Sequence, residues 1–389
     1  MWLQAARRVA PRRAVFWPLS PFRYGDVAEP RPPNARWLTV RNRLCGLCAS
    51  DIHLILMDVS PGAFPVAVPG DRRTYLGHEL VGQVTQAGGE VTEVSPGDRV
   101  VQRIEYPSCF QMEITPPCPQ CAAGRYTLCE NVGVRPLATQ EAGAGFSPVM
   151  VMHRTQPFRI PASLADEQAV LMEPTSCAVH AVMRRSPRPG ERVLVIGCGT
   201  LGLLTVAVAK RLQPQATIHA VARYRFQAEH AERMGADEVI LSRAGLYEET
   251  ARITGARLLE GPLGNRILLG GFDLIYDTIG SDRSLQDALR CARARGSVMI
   301  VGVNLKPRGF DYSPIWYQEV DVQGIFAHGT ESTGETSFQV AARLLDGDRL
   351  RTKGMITHRF PVRDYRAAIL AFTRKEKTHA VKIVLEHSA

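Results

Sequence analysis

The stretch Arg192-Val193-Leu194-Val195-Ile196-Gly197-Cys198-Gly199-Thr200-Leu201-Gly202 runs from an apolar segment of strand length into a G-x-G-x-x-G sequence, and a helical apolar run continues from it to Leu212. Such a glycine pattern carries little weight alone. Between a strand and a helix it is the turn on which a dinucleotide pyrophosphate rests. Gly197 permits the tight turn, Gly199 lets the pyrophosphate approach the backbone, and Gly202 lets the helix pack closely on the strand. The unsatisfied N–H groups of the helix start face the phosphates, so Thr200 and Leu201 are expected cofactor contacts as well.

Downstream of this turn the pattern alternates. A strand is predicted at Thr217–Ala222, a helix at Gln227–Met234, and strands at Glu238–Leu241, Asp273–Tyr276 and Ser297–Val301. Strands alternating with helices imply a doubly wound parallel sheet. Upstream, residues 1–180 are rich in Gly and Pro, and short β-type runs (Trp37–Val40, Leu80–Val84, Arg99–Gln102) alternate with turns such as Ser95-Pro96-Gly97-Asp98, which reads as an irregular, mostly β domain. Beyond residue 325 a helix at Ser337–Leu345, a strand at Ile356–Arg359, a helix at Val362–Thr373 and a last strand at Ala380–Leu385 are expected to return and complete that first domain. The fold class is therefore α/β, with the nucleotide domain (183–325) inserted into a catalytic domain made of 1–182 and 326–389.

The end of the second strand selects the dinucleotide. An NAD-binding chain usually places Asp or Glu about 20 residues past the loop, bonded to the adenosine ribose. Here the stretch reads Ala220-Val221-Ala222-Arg223-Tyr224-Arg225, without an acid, and Arg223 and Arg225 could hold a 2′-phosphate. NADP is favoured over NAD; the alternative leaves both arginines as a solvated loop.

At 389 residues the chain exceeds the roughly 250–300 that one core supports. Its 45% hydrophobic and 22% charged content is that of a globular protein, and no apolar run is long enough to cross a bilayer. The net charge of +9 is spread along the chain and forms no stripe, which argues against a nucleic-acid partner and leaves a general attraction for anionic ligands. Met1–Arg13 is arginine-rich and free of acids, like a mitochondrial presequence, although a short disordered leader on a bacterial-type protein is the preferred reading. The nine cysteines are spaced for metal rather than for disulfides, which fits a reducing cytoplasm.

Three separate places supply candidate metal ligands: Cys45-Gly46-Leu47-Cys48-Ala49-Ser50-Asp51-Ile52-His53, Gly77-His78-Glu79-Leu80-Val81-Gly82, and Leu171-Met172-Glu173-Pro174-Thr175-Ser176-Cys177. A catalytic zinc takes three protein ligands of N, S or O type and keeps one position open. Cys48, His78 and Glu173 would supply a thiolate, an imidazole and a carboxylate, with Cys177 a rival for the third place.

In their order along the chain, the C-x-S-D-x-H, G-H-E-x-x-G, E-P and G-x-G-x-x-G runs resemble the zinc-containing medium-chain dehydrogenases, especially the branch of polyol, threonine and glucose dehydrogenases. The resemblance covers nearly everything after residue 14. It implies a GroES-like catalytic domain with an inserted Rossmann domain, and hydride transfer between an alcohol, polyol or sugar carbinol and NAD(P). It implies that Cys48, His78 and Glu173 bind the catalytic zinc and that Asp51 accepts a hydrogen bond from His78. Glu79 would lie beside the metal or ligate it transiently, and Ser50 and His53 would relay the substrate proton through the nicotinamide ribose to solvent. Thr278, Val301 and Val303 are implied as further cofactor contacts, and a homodimer or homotetramer as the assembly. Cys118, Cys121 and Cys129 resemble three of the four cysteines of the family's structural zinc lobe. The family's first cysteine position is Thr115 here, so Cys109, on a longer loop, is expected as the fourth ligand. Glu248–Leu269 is longer than its family counterpart and reads as a surface insertion. Cys45, Cys198 and Cys291 are expected as packed core residues. Ile55–Val59 and Phe326–Thr330 are candidate substrate walls. Two competing readings are a zinc-free reductase of the same fold, acting on quinones or enoyl groups, and a non-catalytic, zinc-braced dinucleotide sensor.

Overall fold

The computed structural model describes residues 22–60, 62–63, 74–103, 107–139, 141–241 and 243–388. The leader reading of Met1–Arg13 lies outside the described residues.

In Arg192–Ile196 the last four side chains are fully buried. A strand apolar on both faces belongs in the middle of a parallel sheet covered by helices, and that is its place. Six strands run in the order Asp321–Gly324, Ala292–Ile300, Phe272–Asp277, Arg192–Ile196, Thr217–Ala222, Glu238–Leu241, all parallel. The helix Thr200–Leu212 buries Leu203, Leu204, Val206 and Val208 against this sheet and against the helix Met172–Arg184. Each such side chain contributes roughly 1.5–3 kcal/mol by leaving water. The helix expected at Gln227–Met234 spans Arg225–Arg233, and Asp321–Gly324 is a strand the sequence reading did not include.

The three glycines of the turn differ in what surrounds them. Gly197 has φ +102°, which an L side chain rarely adopts. A Cβ on Gly202 would lie 1.7 Å from the Gly197 carbonyl oxygen, so helix and strand can approach this closely only without one. Around Gly199 nothing lies within 4 Å of that position, which leaves room above the helix start.

The other sheet has seven strands. Six follow the order Ile356–Pro361, Lys382–Glu386, Trp37–Gly46, Glu79–Ala87, Arg99–Gln102, Pro157–Arg159, and Val149–His153 also pairs with Trp37–Gly46. Lys382–Glu386 lies antiparallel to Trp37–Gly46 and parallel to Ile356–Pro361, so the end of the chain adds its strands to the sheet begun near residue 37. Across the seam between the two sheets, Thr200 Oγ1 donates to the Val381 carbonyl at 3.1 Å.

The stretch Glu248–Leu269 is ordered. Its first residues belong to the helix Leu246–Thr254, and the remainder forms an antiparallel hairpin of Arg257–Glu260 with Arg266–Leu269. Among the described residues no helix is long and apolar enough to cross a membrane.

Gly202→Ala should lower stability in urea unfolding by about 2–3 kcal/mol, because its Cβ must displace backbone. Gly199→Ala should leave the midpoint nearly unchanged. Equal midpoints for the two variants would contradict this packing.

Candidate active site

Cys48 caps the helix Ala49–Ile55, and its N–H donates to Asp51 Oδ2 at 3.0 Å. The other oxygen of the same carboxylate accepts from Gly77 N at 3.1 Å. Gly77 has φ +91° and no room for a Cβ, which would meet the Phe146 ring and Cys45 Sγ. Pairing of Gly46 with Glu79 and Cys45 with Leu80 then sets the start of the second strand beside the start of the helix. The result is that ligand atoms of Cys48, His78 and Glu79 lie within 4.8 Å of one another. Asp51 Oδ1 is 3.7 Å from His78 Nδ1, facing that nitrogen but longer than a hydrogen bond.

Glu79 is buried against Lys382, itself 1% exposed, in an ion pair. Gly46 makes space for it, since a Cβ there would meet both Glu79 Oε2 and the end of Lys382. Burial pulls Lys382 down to about 8. Sequence reasoning missed this lysine, although a single charge within the apolar run Val381–Leu385 was a signal.

Glu173 stands outside the group formed by Cys48, His78 and Glu79. It lies buried in the first turn of Met172–Arg184, where Cys177 Sγ donates to its Oε1 at 3.3 Å. One turn further His180 Nδ1 lies 3.0 Å from Glu331 Oε1. Spacing i, i+4, i+7 puts Glu173, Cys177 and His180 on one helix face.

Ser50 is half-buried in the first turn of Ala49–Ile55. His53 lies near the end of that helix, where burial, followed by the charge of Lys306, holds its imidazole below the ordinary value. In the nucleotide turn, Thr278 Oγ1 donates to Ile196 O and Gly197 O at 2.9 and 3.0 Å and so holds the turn's backbone. Leu201 packs against the core. Val301 is buried and Val303 exposed beyond the next strand. Arg223 and Arg225 are exposed; the first lies over the Tyr224 ring at 5.2 Å, the second near Glu229 at 3.5 Å.

Cys109, Cys118, Cys121 and Cys129 are all buried, with their sulfurs within 4.8 Å of one another. Backbone N–H groups donate to these sulfurs: Cys118 N to Cys109 at 3.3 Å, Cys121 N and Glu130 N to Cys118 at 3.5 and 3.4 Å. The Asn131 side chain donates to Cys109 at 3.2 Å. Burial pushes the Cys118 thiol up, but the N–H donors outweigh it and hold it at about 7. Burial raises Cys121 strongly and Cys129 to about 11. Four sulfurs so close, with donors already aimed at them, match the chemistry of a closed zinc site. All nine cysteines are free thiols; Cys45, Cys198 and Cys291 are fully or almost fully buried, and burial raises each thiol.

The lobe that carries these cysteines touches the segment Phe326–Thr330, because Thr127 Oγ1 donates to His328 O at 3.3 Å. The His328 side chain is buried, Nε2 makes no hydrogen bond, and burial drives the ring down to about 3. Arg103 Nε is likewise buried without an acceptor. Both residues line a small cleft with Tyr126, Thr127 and Thr330. Neither was picked out individually from the sequence.

Residues 34–162 match the family described as "Alcohol dehydrogenase GroES-like domain", and residues 200–345 match "Zinc-binding dehydrogenase". The chain belongs to the zinc-containing medium-chain alcohol and polyol dehydrogenases. A sorbitol dehydrogenase of Bacillus subtilis (strain 168) is 30% identical over 319 residues, 81% of this chain and 80% of that one. D-arabinitol dehydrogenase 1 of Uromyces fabae is 29% identical over 329 residues, 84% of each. A putative zinc-binding dehydrogenase from Sinorhizobium meliloti 1021, solved bound to NADP, superposes with a TM-score of 0.70 at 27% identity, covering 92% of this chain and 94% of that one. As a member of this family the chain is an alcohol or polyol dehydrogenase that uses zinc and a nicotinamide cofactor.

Removing one member of a buried ion pair leaves the other charge stranded. Glu79→Gln and Lys382→Met should each lower the urea unfolding free energy of this dehydrogenase by about 3–5 kcal/mol. The double variant should recover most of the loss. Additive losses would show that the two side chains do not act as a pair.

Proposed function

We propose that this dehydrogenase oxidises a secondary hydroxyl of a polyol or sugar alcohol, with NADP as the hydride acceptor. The observation that carries the reading is the meeting of Cys48 and His78 at the start of a helix that also bears Ser50 and His53. The names of the relatives support a polyol, and the absence of an acid around Arg223-Tyr224-Arg225 supports NADP.

Cys48 and His78 would hold the catalytic zinc, His78 through Nε2 because Nδ1 faces Asp51. Glu79 is within reach of both, but Lys382 already neutralises its carboxylate. That leaves Glu173 the better permanent third ligand and makes Glu79 a carboxylate held beside the metal. A bound zinc ion supplies polarisation of the substrate oxygen, which makes its alkoxide accessible near neutral pH. Ser50 would accept the hydroxyl proton and pass it to His53, whose neutral form is favoured by burial and then by the charge of Lys306, and His53 would release it to solvent. Gly199 leaves the space in which the pyrophosphate would lie over the helix start, between Gly197 and Gly202. Thr200 and Leu201 would border it, Arg223 and Arg225 would clasp the 2′-phosphate, and Thr278, Val301 and Val303 would flank the nicotinamide half. Cys109, Cys118, Cys121 and Cys129 would hold a second, structural zinc.

The same reading divides the chain at 182/183 and 325/326. It proposes a homodimer or homotetramer and, on nine free thiols, a reducing cytoplasm.

The wild-type protein should carry two zinc ions per chain by elemental analysis. Cys48→Ser should lose one together with all turnover of sorbitol-type polyols, while dinucleotide affinity changes little. Glu173→Ala should lose it more completely than Glu79→Gln; the reverse ranking would transfer the third ligand to Glu79. Replacing Arg223 and Arg225 together by Ala should raise the KM for NADP about tenfold, or about 1.4 kcal/mol, without changing that for NAD. An unchanged preference would remove both arginines from cofactor selection.

A further inference from the structure

His53 sits near the end of the helix Ala49–Ile55, and the chain then folds back on it. Asp58 N donates to His53 O at 2.7 Å. This turn places Asp58 Oδ2 3.5 Å from His53 Nδ1. Asp58 Oδ1 is paired with Lys306 Nζ, 248 positions along the chain. Lys306 belongs to the loop beyond the strand Ala292–Ile300 of the nucleotide sheet. That loop is fixed in turn: Lys306 N donates to Asn304 Oδ1 at 2.9 Å, and Asn304 Nδ2 donates to Asp282 Oδ1 at 2.6 Å, at the start of the helix Asp282–Cys291. A second tie lies alongside, since Ser60 N donates to Leu305 O at 2.6 Å.

We propose that Asp58 and Lys306 are positioning residues of the proton relay, a carboxylate–ammonium brace that orients the His53 ring and links it to the nucleotide domain. The proposal rests on the reading of His53 as the relay's outer member. A carboxylate 3.5 Å from Nδ1 favours the neutral tautomer with its proton on that nitrogen, which leaves Nε2 as the acceptor for the proton arriving from Ser50. The proton then leaves the imidazolium for solvent, and the ring returns to the same tautomer. Lys306 limits how far Asp58 can favour the imidazolium. An unopposed carboxylate would raise the ring's pKa and keep it protonated at working pH.

The placement of Lys306 adds a second consequence. It follows Val301 and Val303 by a few residues, so anything that seats against that turn also sets the ammonium's position. Orientation of the relay is in this way tied to the apposition of the two halves of the chain. Among the described residues, the charged groups facing His53 are Asp58 from the following turn and Lys306 from the nucleotide side. Asp51, on the same helix, is turned away towards Cys48, Gly77 and His78.

The test is a titration of the full chain carrying 13C-labelled histidine, followed by NMR, with the His53 signal assigned through His53→Gln. Asp58→Asn should lower the His53 midpoint by about one pH unit, because Lys306 then acts unopposed, and Lys306→Met should raise it by a similar amount. The acidic limb of the kcat profile should move the same way in each variant. A His53 midpoint that stays put in both charge variants would overturn the brace. If the midpoint moves but the kcat profile of His53→Gln matches the wild type, the brace stands as a structural pair and its role in the relay is overturned along with the relay itself.

Discussion

One carboxylate organises the catalytic half of this protein. Asp51 is almost fully buried, and its two oxygens accept the N–H groups of Cys48 and Gly77, which are 29 positions apart. Burying a carboxylate is expensive unless such donors meet it. Once they do, the start of a helix and the start of a strand are held together from one side. Cys48 and His78 belong to those two starts. Their closeness follows from a hydrogen-bonded anion placed between their backbones, independently of any ion they bind.

The next layer of support comes from the far end of the chain. Lys382 enters the sheet on the strand that pairs with Trp37–Gly46, and its ammonium meets Glu79 in the interior. A buried pair of this kind gives little net stability, but losing either partner leaves the other charge stranded in the interior. Gly46 belongs to the same device, because any side chain there would occupy the space of the pair. The carboxylate next to His78 is therefore neutralised by the protein.

Contacts that bind the halves across their seam include the following. Thr200, at the start of the nucleotide helix, donates to Val381, next to Lys382. Lys306 reaches Asp58, five residues beyond His53. Each contact joins a residue of the nucleotide-sheet half to one of the catalytic half.

The order of elements was legible in the sequence, because it depends on local pattern. The apolar run before Gly197, the alternation after it and the strands at the end of the chain are fixed by side-chain periodicity and by glycine's tolerance of φ +102°. Cys48, His78, Cys118, Cys121 and Cys129 stood out because several motifs follow one another in the order of the family they resemble, whereas any one of them alone would read as a packed residue. Tertiary structure alone decided which carboxylate comes close. The sequence reading gave the third ligand to Glu173, yet strand register brings Glu79 close to Cys48 and His78, where Lys382 meets it. It likewise decided that Asp58 and Lys306 meet at all. Pairings between residues tens to hundreds of positions apart depend on how sheets and helices pack, and no local run of residues encodes that distance.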